Sequence, residues 1–174
     1  IDLLAGWLEE TGFAVRIEPL PERPGKANLI ATLGDGPGGL VLAGHTDTVP
    51  FDAGRWRYDP FAGTMTDERI YGLGSADMKS FLALAIEAAG EFAARHLRQP
   101  LVILATADEE SSMAGARALA AAGRPLGRHA VIGEPTGLKP VRMHKGILME
   151  AIRLEGRSGH SSNPALGVSA LEGM

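Results

Sequence analysis

Gly39-Leu40-Val41-Leu42-Ala43-Gly44-His45-Thr46-Asp47 decides how this chain reads. Its first five residues form an apolar run short enough for a buried strand, and polar residues follow abruptly. A second run of the same kind, Leu101-Val102-Ile103-Leu104-Ala105, leads into Thr106-Ala107-Asp108-Glu109-Glu110. Open α/β sheets keep their ligand sites beyond the carboxyl ends of strands. Both segments therefore put metal-binding or proton-transferring side chains where such a fold holds its chemistry.

Outward from these runs the pattern alternates between helix and strand, which predicts an α/β fold. Ile1 to Thr11 reads as an amphipathic helix with Leu3, Leu4, Trp7 and Leu8 on one face, stopped by Gly12. Strands are expected at 13–17 and 28–33, with a turn at 35–39 before the third. Residues 50–75 are rich in Gly, Pro and Asp, with short β pieces such as Arg69-Ile70-Tyr71. A loop-rich stretch of this length inside a compact domain is usually functional. A helix from Asp77 to about His96 looks apolar on most sides (Phe81, Leu82, Leu84, Ile86, Phe92), as a buried helix does. A helix at about 112–122 and a strand at 130–132 continue the series. From Gly146 the style changes: 147–154 alternates as a half-exposed strand, and a helix is expected from Ala165 to Met174. That segment reads as the opening of a further domain.

The chain has 174 residues, enough for one domain or one and a fraction. It is 45% hydrophobic and 22% charged, with a net charge of −4, so a normal core is expected and a basic nucleic-acid footprint is absent. There is no cysteine, which excludes disulfides, thiolate zinc sites and cysteine nucleophiles. A metal would be held by His and carboxylates, a donor set suited to zinc, cobalt or manganese. No apolar run approaches the roughly 20 residues of a membrane span. No leader segment is visible, and a cytoplasmic protein is expected.

Each candidate site residue has a plain structural alternative. His45 and Asp47 are two apart, so an extended backbone points both the same way, yet either could simply be satisfied at a strand end. Asp77 follows Tyr71-Gly72-Leu73-Gly74-Ser75-Ala76 and opens a helix, where Asp is a favoured cap. Glu109 and Glu110 precede a helix whose dipole favours acids; alternatively, one binds metal while its neighbour stays free for a proton. Pro135 keeps Glu134 extended, and a solvated loop acid is the simpler reading. Taken together, one His and five acids at strand ends and helix starts supply the inventory for a two-ion site. His160, between Gly159 and Ser161, is either an oxyanion donor or a loop histidine. His96 and His129 read as structural or surface residues, and His144-Lys145 as a small positive spot.

The motifs resemble a known family, the co-catalytic metallohydrolases that include acetylornithine deacetylase, succinyl-diaminopimelate desuccinylase, aminoacylase and carboxypeptidase G. Five pieces carry the likeness, in order: Gly44-His45-Thr46-Asp47-Thr48-Val49-Pro50, Tyr71 to Lys79, Thr106 to Glu110, Gly133-Glu134-Pro135-Thr136 and Ser158 to Ser162. Within the family, Phe51 to Trp56, Ser112 to Arg117 and Leu138 to Gly146 resemble the acetylornithine deacetylases. The resemblance implies a three-layer αβα catalytic domain with a mostly parallel sheet over residues 1–145. It also implies the start of a smaller α+β lid, or dimerisation, domain at 146–174. By the same likeness, His45 and Glu134 bind one divalent ion, Glu110 binds the other, and Asp77 bridges them. Asp47 orients His45, and Glu109 is general base and acid. His160, from the lid of a partner subunit, supports the oxyanion. The peptide bond after Asp77 is expected in cis. The implied reaction is hydrolysis of a small N-acyl amino acid, N2-acetylornithine first, in arginine biosynthesis. Zinc or cobalt is the implied metal, in a homodimer that touches neither nucleic acid nor membrane. Sister activities on succinyl-diaminopimelate, acetylcitrulline or a peptide are the alternatives, as is a non-catalytic folded fragment. Relatives are longer and supply a last His ligand that this sequence lacks, so the second ion site is expected to be incomplete here.

Overall fold

The computed structural model describes residues 1–174 except 94, 95, 147, 149 and 174. The chain forms two compact units, Ile1–Leu138 and Lys139–Met174.

The first unit is built on a five-stranded sheet in the order β1-β2-β6-β3-β7. Its strands are β1 (Ala14–Pro19), β2 (Ala27–Leu33), β3 (Leu40–His45), β6 (Leu101–Thr106) and β7 (His129–Ile132). β1 and β6 both pair antiparallel with β2, while β3 runs parallel to β6 and to β7. Four strands therefore point one way and β2 alone runs against them. Helices cover both faces. Strand alternation sends Leu29 and Ala31 of β2, with Ile103 and Ala105 of β6, toward α1 (Asp2–Glu10) and α2 (Lys79–Ala93). There they meet Ala5, Leu8, Leu82, Ala85 and Ala89. Ile30, Val41 and Val102 face the other way and pack with Leu119 of α3 (Ala114–Ala122) and with Leu126. Fully burying a side chain such as Leu8, Leu29 or Ile103 stabilises the fold by about 1.5–3 kcal/mol. The layers are thus helix, sheet and helix, as the family resemblance implies.

Three readings of this unit need correction. In α1 the buried stripe is Ala5 and Leu8 with Leu4 beside it, whereas Leu3 and Trp7 are exposed. α2 is not buried all round: Leu82, Ala85 and Ala89 face the sheet, but Leu84 and Phe92 lie at the surface. It also begins at Lys79 rather than Asp77, after a cis peptide bond at Asp77-Met78. His96 is exposed and outside the helix.

Between β3 and α2, residues 50–75 carry a short 3-10 turn, Ala53–Arg55, and a small hairpin, β4 (Thr64–Thr66) against β5 (Arg69–Tyr71). Tyr58 leans on Tyr71 with ring centroids 4.6 Å apart, and Phe51 meets Phe61 edge-on at 5.0 Å. These pairs give the loop an apolar framework of its own.

The second unit has little regular structure. Arg157 and Val168 exchange backbone hydrogen bonds of 2.9 and 2.8 Å across an isolated antiparallel bridge. The helix expected from Ala165 is replaced by two short 3-10 turns, Pro164–Leu166 and Leu171–Gly173. Gly167 is extended between them, and the pairing of Val168 with Arg157 takes that backbone out of helical geometry. Of the strand expected at 147–154, residues 147 and 149 lie outside the described residues, and the others form no strand.

Candidate metal centre

Three neighbouring parallel strands, β6, β3 and β7, end side by side, and each hands over one part of the site. β3 ends in His45, buried to 1% exposure. Gly44 before it leaves room for two side chains of the neighbouring segment, a Cβ there lying 2.8 Å from Met78 Cε and 3.2 Å from Leu82 Cδ2. Thr46 N–H donates to Thr106 O (3.0 Å), Thr106 Oγ1 donates to Gly44 O (3.3 Å) and Gly133 N–H donates to Ala43 O (3.1 Å). These bonds extend the sheet past its regular end and hold the strand tips in register.

The imidazole of His45 sits at the centre. Its Nδ1 lies 3.0 Å from the backbone carbonyl of Asp47 and takes the proton-bearing role there. Nε2 is the nitrogen turned toward the acids, and in the neutral tautomer protonated at Nδ1 it would offer its lone pair to a metal. Around Nε2 stand Asp77 Oδ1 at 3.2 Å, and Glu109 Oε2 and Glu134 Oε1 at 3.8 Å each. Ligand atoms of His45, Asp77 and Glu110 all fall within 4.8 Å of one another. The sequence expectation for Asp47 is refined: its carboxylate is 3.6 Å from His45 Nδ1, so the backbone carbonyl makes the closer contact. The carboxylate instead accepts the backbone N–H groups of Glu109 (3.1 Å) and Glu110 (3.0 Å), fixing the loop that presents both glutamates.

So many acids around one imidazole perturb each other. Burial alone would lower the pKa of His45. The Asp47 carbonyl and the charges of Glu109, Asp47 and Glu134 outweigh it and leave the pKa above the usual 6.5. Burial raises Glu110 and Glu134 above 4.5, and Asp77 raises both further against the opposing pull of His45. A concentrated negative site with an imidazole nitrogen turned into it is the chemistry of a divalent-cation site, and the donor set fits such an ion.

The structure therefore brings together His45, Asp47, Asp77, Glu109, Glu110 and Glu134. His160 belongs to the second unit, where its Nδ1 is 2.8 Å from Ser162 Oγ. His129 is exposed at the start of β7, and His144 is exposed with Nδ1 2.8 Å from Lys145 O.

Two supporting residues escape the sequence reading. Asp108 is 4% exposed and is ion-paired to Lys26 and Arg23. Asn28 is 1% exposed; its side chain accepts from Ala107 N–H (3.1 Å) and donates to Gly115 O (2.9 Å). Together they clamp both ends of the loop that carries Glu109 and Glu110. The one available signal was polar residues, Lys26 and Asn28, opening an apolar strand.

The sequence profile described as Peptidase family M20/M25/M40 matches residues 41–166, most of the chain. The chain belongs to this family. It is 58% identical over 172 residues to an acetylornithine deacetylase of Proteus mirabilis, covering 99% of this chain and 44% of the relative. It is 55% identical to an acetylornithine deacetylase of Klebsiella pneumoniae, covering 99% of this chain and 45% of that protein. This M20 chain thus spans a little under half the length of the curated relatives it matches. In fold it is similar to human carnosine dipeptidase 1, with a TM-score of 0.66 and 23% identity over 76% of this chain and 32% of that one. A Staphylococcus aureus tripeptidase gives a TM-score of 0.62 and 20% identity, over 98% of this chain and 47% of that one.

Proposed function

We propose that the whole protein is a metal-dependent amidohydrolase that converts N2-acetylornithine to ornithine and acetate, in arginine biosynthesis. The single observation behind this reading is the convergence of four carboxylates, Asp77, Glu109, Glu110 and Glu134, on the imidazole of His45, in a chain 55–58% identical to acetylornithine deacetylases. His45, Asp77, Glu110 and Glu134 would hold two divalent cations, zinc or cobalt, with Asp77 shared. A bound cation supplies Lewis acidity, polarising a carbonyl and lowering the pKa of water from 15.7 toward about 7.

The remaining work falls to the chain's own groups. Asp47 holds the His45 tautomer through its carbonyl and anchors both glutamates through its carboxylate. Glu109 is assigned the proton. It takes one from the attacking water as the C–O bond forms, and returns it to the amide nitrogen as the C–N bond breaks. Its Oε2 lies 3.8 Å from His45 Nε2, close enough to serve a molecule bound at the cluster. His160 is assigned as donor to the developing oxyanion from the lid of a second subunit, such a donor being worth about 3–4 kcal/mol elsewhere. This reading takes residues 146–174 as the start of that lid, and a cytoplasmic homodimer as the working form.

The test is Glu109→Gln in the whole protein. Metal content should stay the same, while turnover of N2-acetylornithine falls by at least about a hundredfold. Undiminished turnover would remove Glu109 from the role. Parallel assays on succinyl-diaminopimelate and acetylcitrulline would expose a sister specificity.

A further inference from the structure

β2 runs against its neighbours in the sheet, and that reversal brings its start to the end of β6, where the site lies. The register pairs Leu33 with Leu101 and Leu29 with Ala105, so each step back along β2 is a step forward along β6. Carried on from Leu29 to Lys26, the same ladder sets Lys26 opposite Asp108. There Lys26 Nζ donates to Asp108 Oδ1. Arg23, in the same turn, stands 3.6 Å from Asp108 Oδ2. We infer that the turn between β1 and β2 is a positioning element for the reaction: Lys26, assisted by Arg23, acts through Asp108 to fix where the Glu109 carboxylate stands. The inference rests on the hydrolase reading above and deepens it.

A group that moves a proton in the reaction must be held in place closely, and Glu109 stands on a loop beyond the ladder of the sheet. Two carboxylates hold that loop from different sides. Asp47 accepts the N–H groups of Glu109 (3.1 Å) and Glu110 (3.0 Å). Asp108 comes directly before Glu109 at φ 64°, a backbone state that persists where its surroundings over-determine it. Its carbonyl accepts the N–H groups of Ser112 and Met113, and its carboxylate the Ser112 hydroxyl. Those partners belong to the same loop and move with it. Lys26 and Arg23 instead tie Asp108 to a turn that is distant in sequence and folded on itself. In that turn Arg23 N–H donates to Leu20 O and Lys26 N–H to Arg23 O, both at 3.0 Å, and Leu20 N–H donates to Lys26 O at 2.9 Å. The charges are sorted as well. Among the described residues neither Glu109 nor Glu110 pairs with a Lys or Arg, so the two cations of the turn neutralise the loop acid that points away from His45.

The test compares Lys26→Met and Lys26→Arg with the native form, in the whole protein loaded with zinc. The readouts are kcat and KM for N2-acetylornithine, zinc content, and hydrogen exchange at the amides of Glu109 and Glu110. Lys26→Met should lower kcat about tenfold or more, with zinc content unchanged and KM held within about twofold. It should also speed exchange at both amides. Lys26→Arg keeps a cation that can reach a carboxylate, and should recover most of both losses. With Asp108→Asn already in place, Lys26→Met should cost no further kcat, because the group through which Lys26 acts is gone. Arg124→Met breaks an ion pair of 2.9 Å with Glu18 on β1 and should leave kcat and exchange as they are. Should Lys26→Met fail to fold, Arg23→Met, which removes the looser contact, should show a smaller loss in kcat of the same kind. Unchanged kcat in the folded Lys26 or Arg23 variant, an equal loss in Lys26→Arg, or a loss that comes with a raised KM or missing zinc would overturn the inference. The hydrolase reading fails on a different result, namely no hydrolysis of N2-acetylornithine by the native protein. Exchange at Glu109 and Glu110 then decides alone whether Lys26 anchors the loop.

Discussion

Asp108 stands at φ 64°, a left-handed backbone that an L residue other than Gly, Asn or Asp rarely accepts. Its carbonyl accepts the N–H groups of Ser112 (3.2 Å) and Met113 (2.7 Å), and its carboxylate accepts the Ser112 hydroxyl at 3.0 Å. The residue turns the chain so that Glu109 and Glu110 face His45 while its own side chain points back to Lys26. Bonding to Lys26 holds the Asp108 carboxyl below its ordinary 3.8. Burial opposes that, and Ser112 and Arg23 assist it. A carboxyl depressed by folding adds stability above its unfolded value and loses it as pH falls through the folded one. Asp108→Asn should therefore unfold in less urea than the native protein at pH 5. The gap should shrink as pH falls below 3.8 toward the lowered value, because the native side chain then also becomes neutral. A gap that stays constant down to pH 3 would mean the pairing with Lys26 contributes nothing to the fold.

At the scale of elements, the strand ends do the positioning and glycines set how closely the parts approach. Gly133 links the end of β7 to Glu134, and a Cβ there would run into the ring of Phe81 on α2. Gly133→Ala should destabilise the protein by about 1–3 kcal/mol through overpacking, and should lower zinc affinity because Glu134 is the next residue. Urea unfolding and a zinc titration measure the two effects, and an unchanged midpoint would show that Phe81 moves aside freely. That contact also marks where sequence stops being informative. The runs at 39–43 and 101–105 announce their strands, and the acids that follow them announce the site, because short apolar runs ending in polar clusters have few other uses. Which side of α2 is buried was not legible. Its apolar residues exceed one face, and only the sheet decides that Leu82 goes in while Leu84 stays out. Nor could spacing reveal that Asp47 serves His45 by its carbonyl and the glutamates by its carboxylate, since both follow from a turn. The expected helix at 165–174 failed for a related reason: the extended Gly167 and the pairing of Val168 with Arg157 hold the backbone out of helical geometry.

Across the whole molecule, the first unit gathers more negative charge at one point than its own cations neutralise there. The consequence is a coupling between pH, cation and stability. Glu110 and Glu134 have pKa values raised by burial and by Asp77, so the folded state without a cation holds more protons than the unfolded chain as pH rises past 4.5. Stability must then fall with pH through that window. His45 acts in the same direction at higher pH. Burial lowers its pKa, but the Asp47 carbonyl and the surrounding acids raise it above 6.5, so what it contributes when protonated is lost as pH climbs through the raised value. A divalent cation takes the place of those protons, so binding must release them and must tighten as pH increases. Free zinc at a hundred times its dissociation constant adds about 2.7 kcal/mol to the folded state. At one fixed total zinc concentration, the difference in Tm between zinc-loaded and chelator-stripped protein should be larger at pH 8 than at pH 5. Calorimetric titration in buffers of different ionisation enthalpy should register protons leaving the protein. An equal difference at the two pH values, with no proton release, would mean that the cation binds away from His45, Glu110 and Glu134.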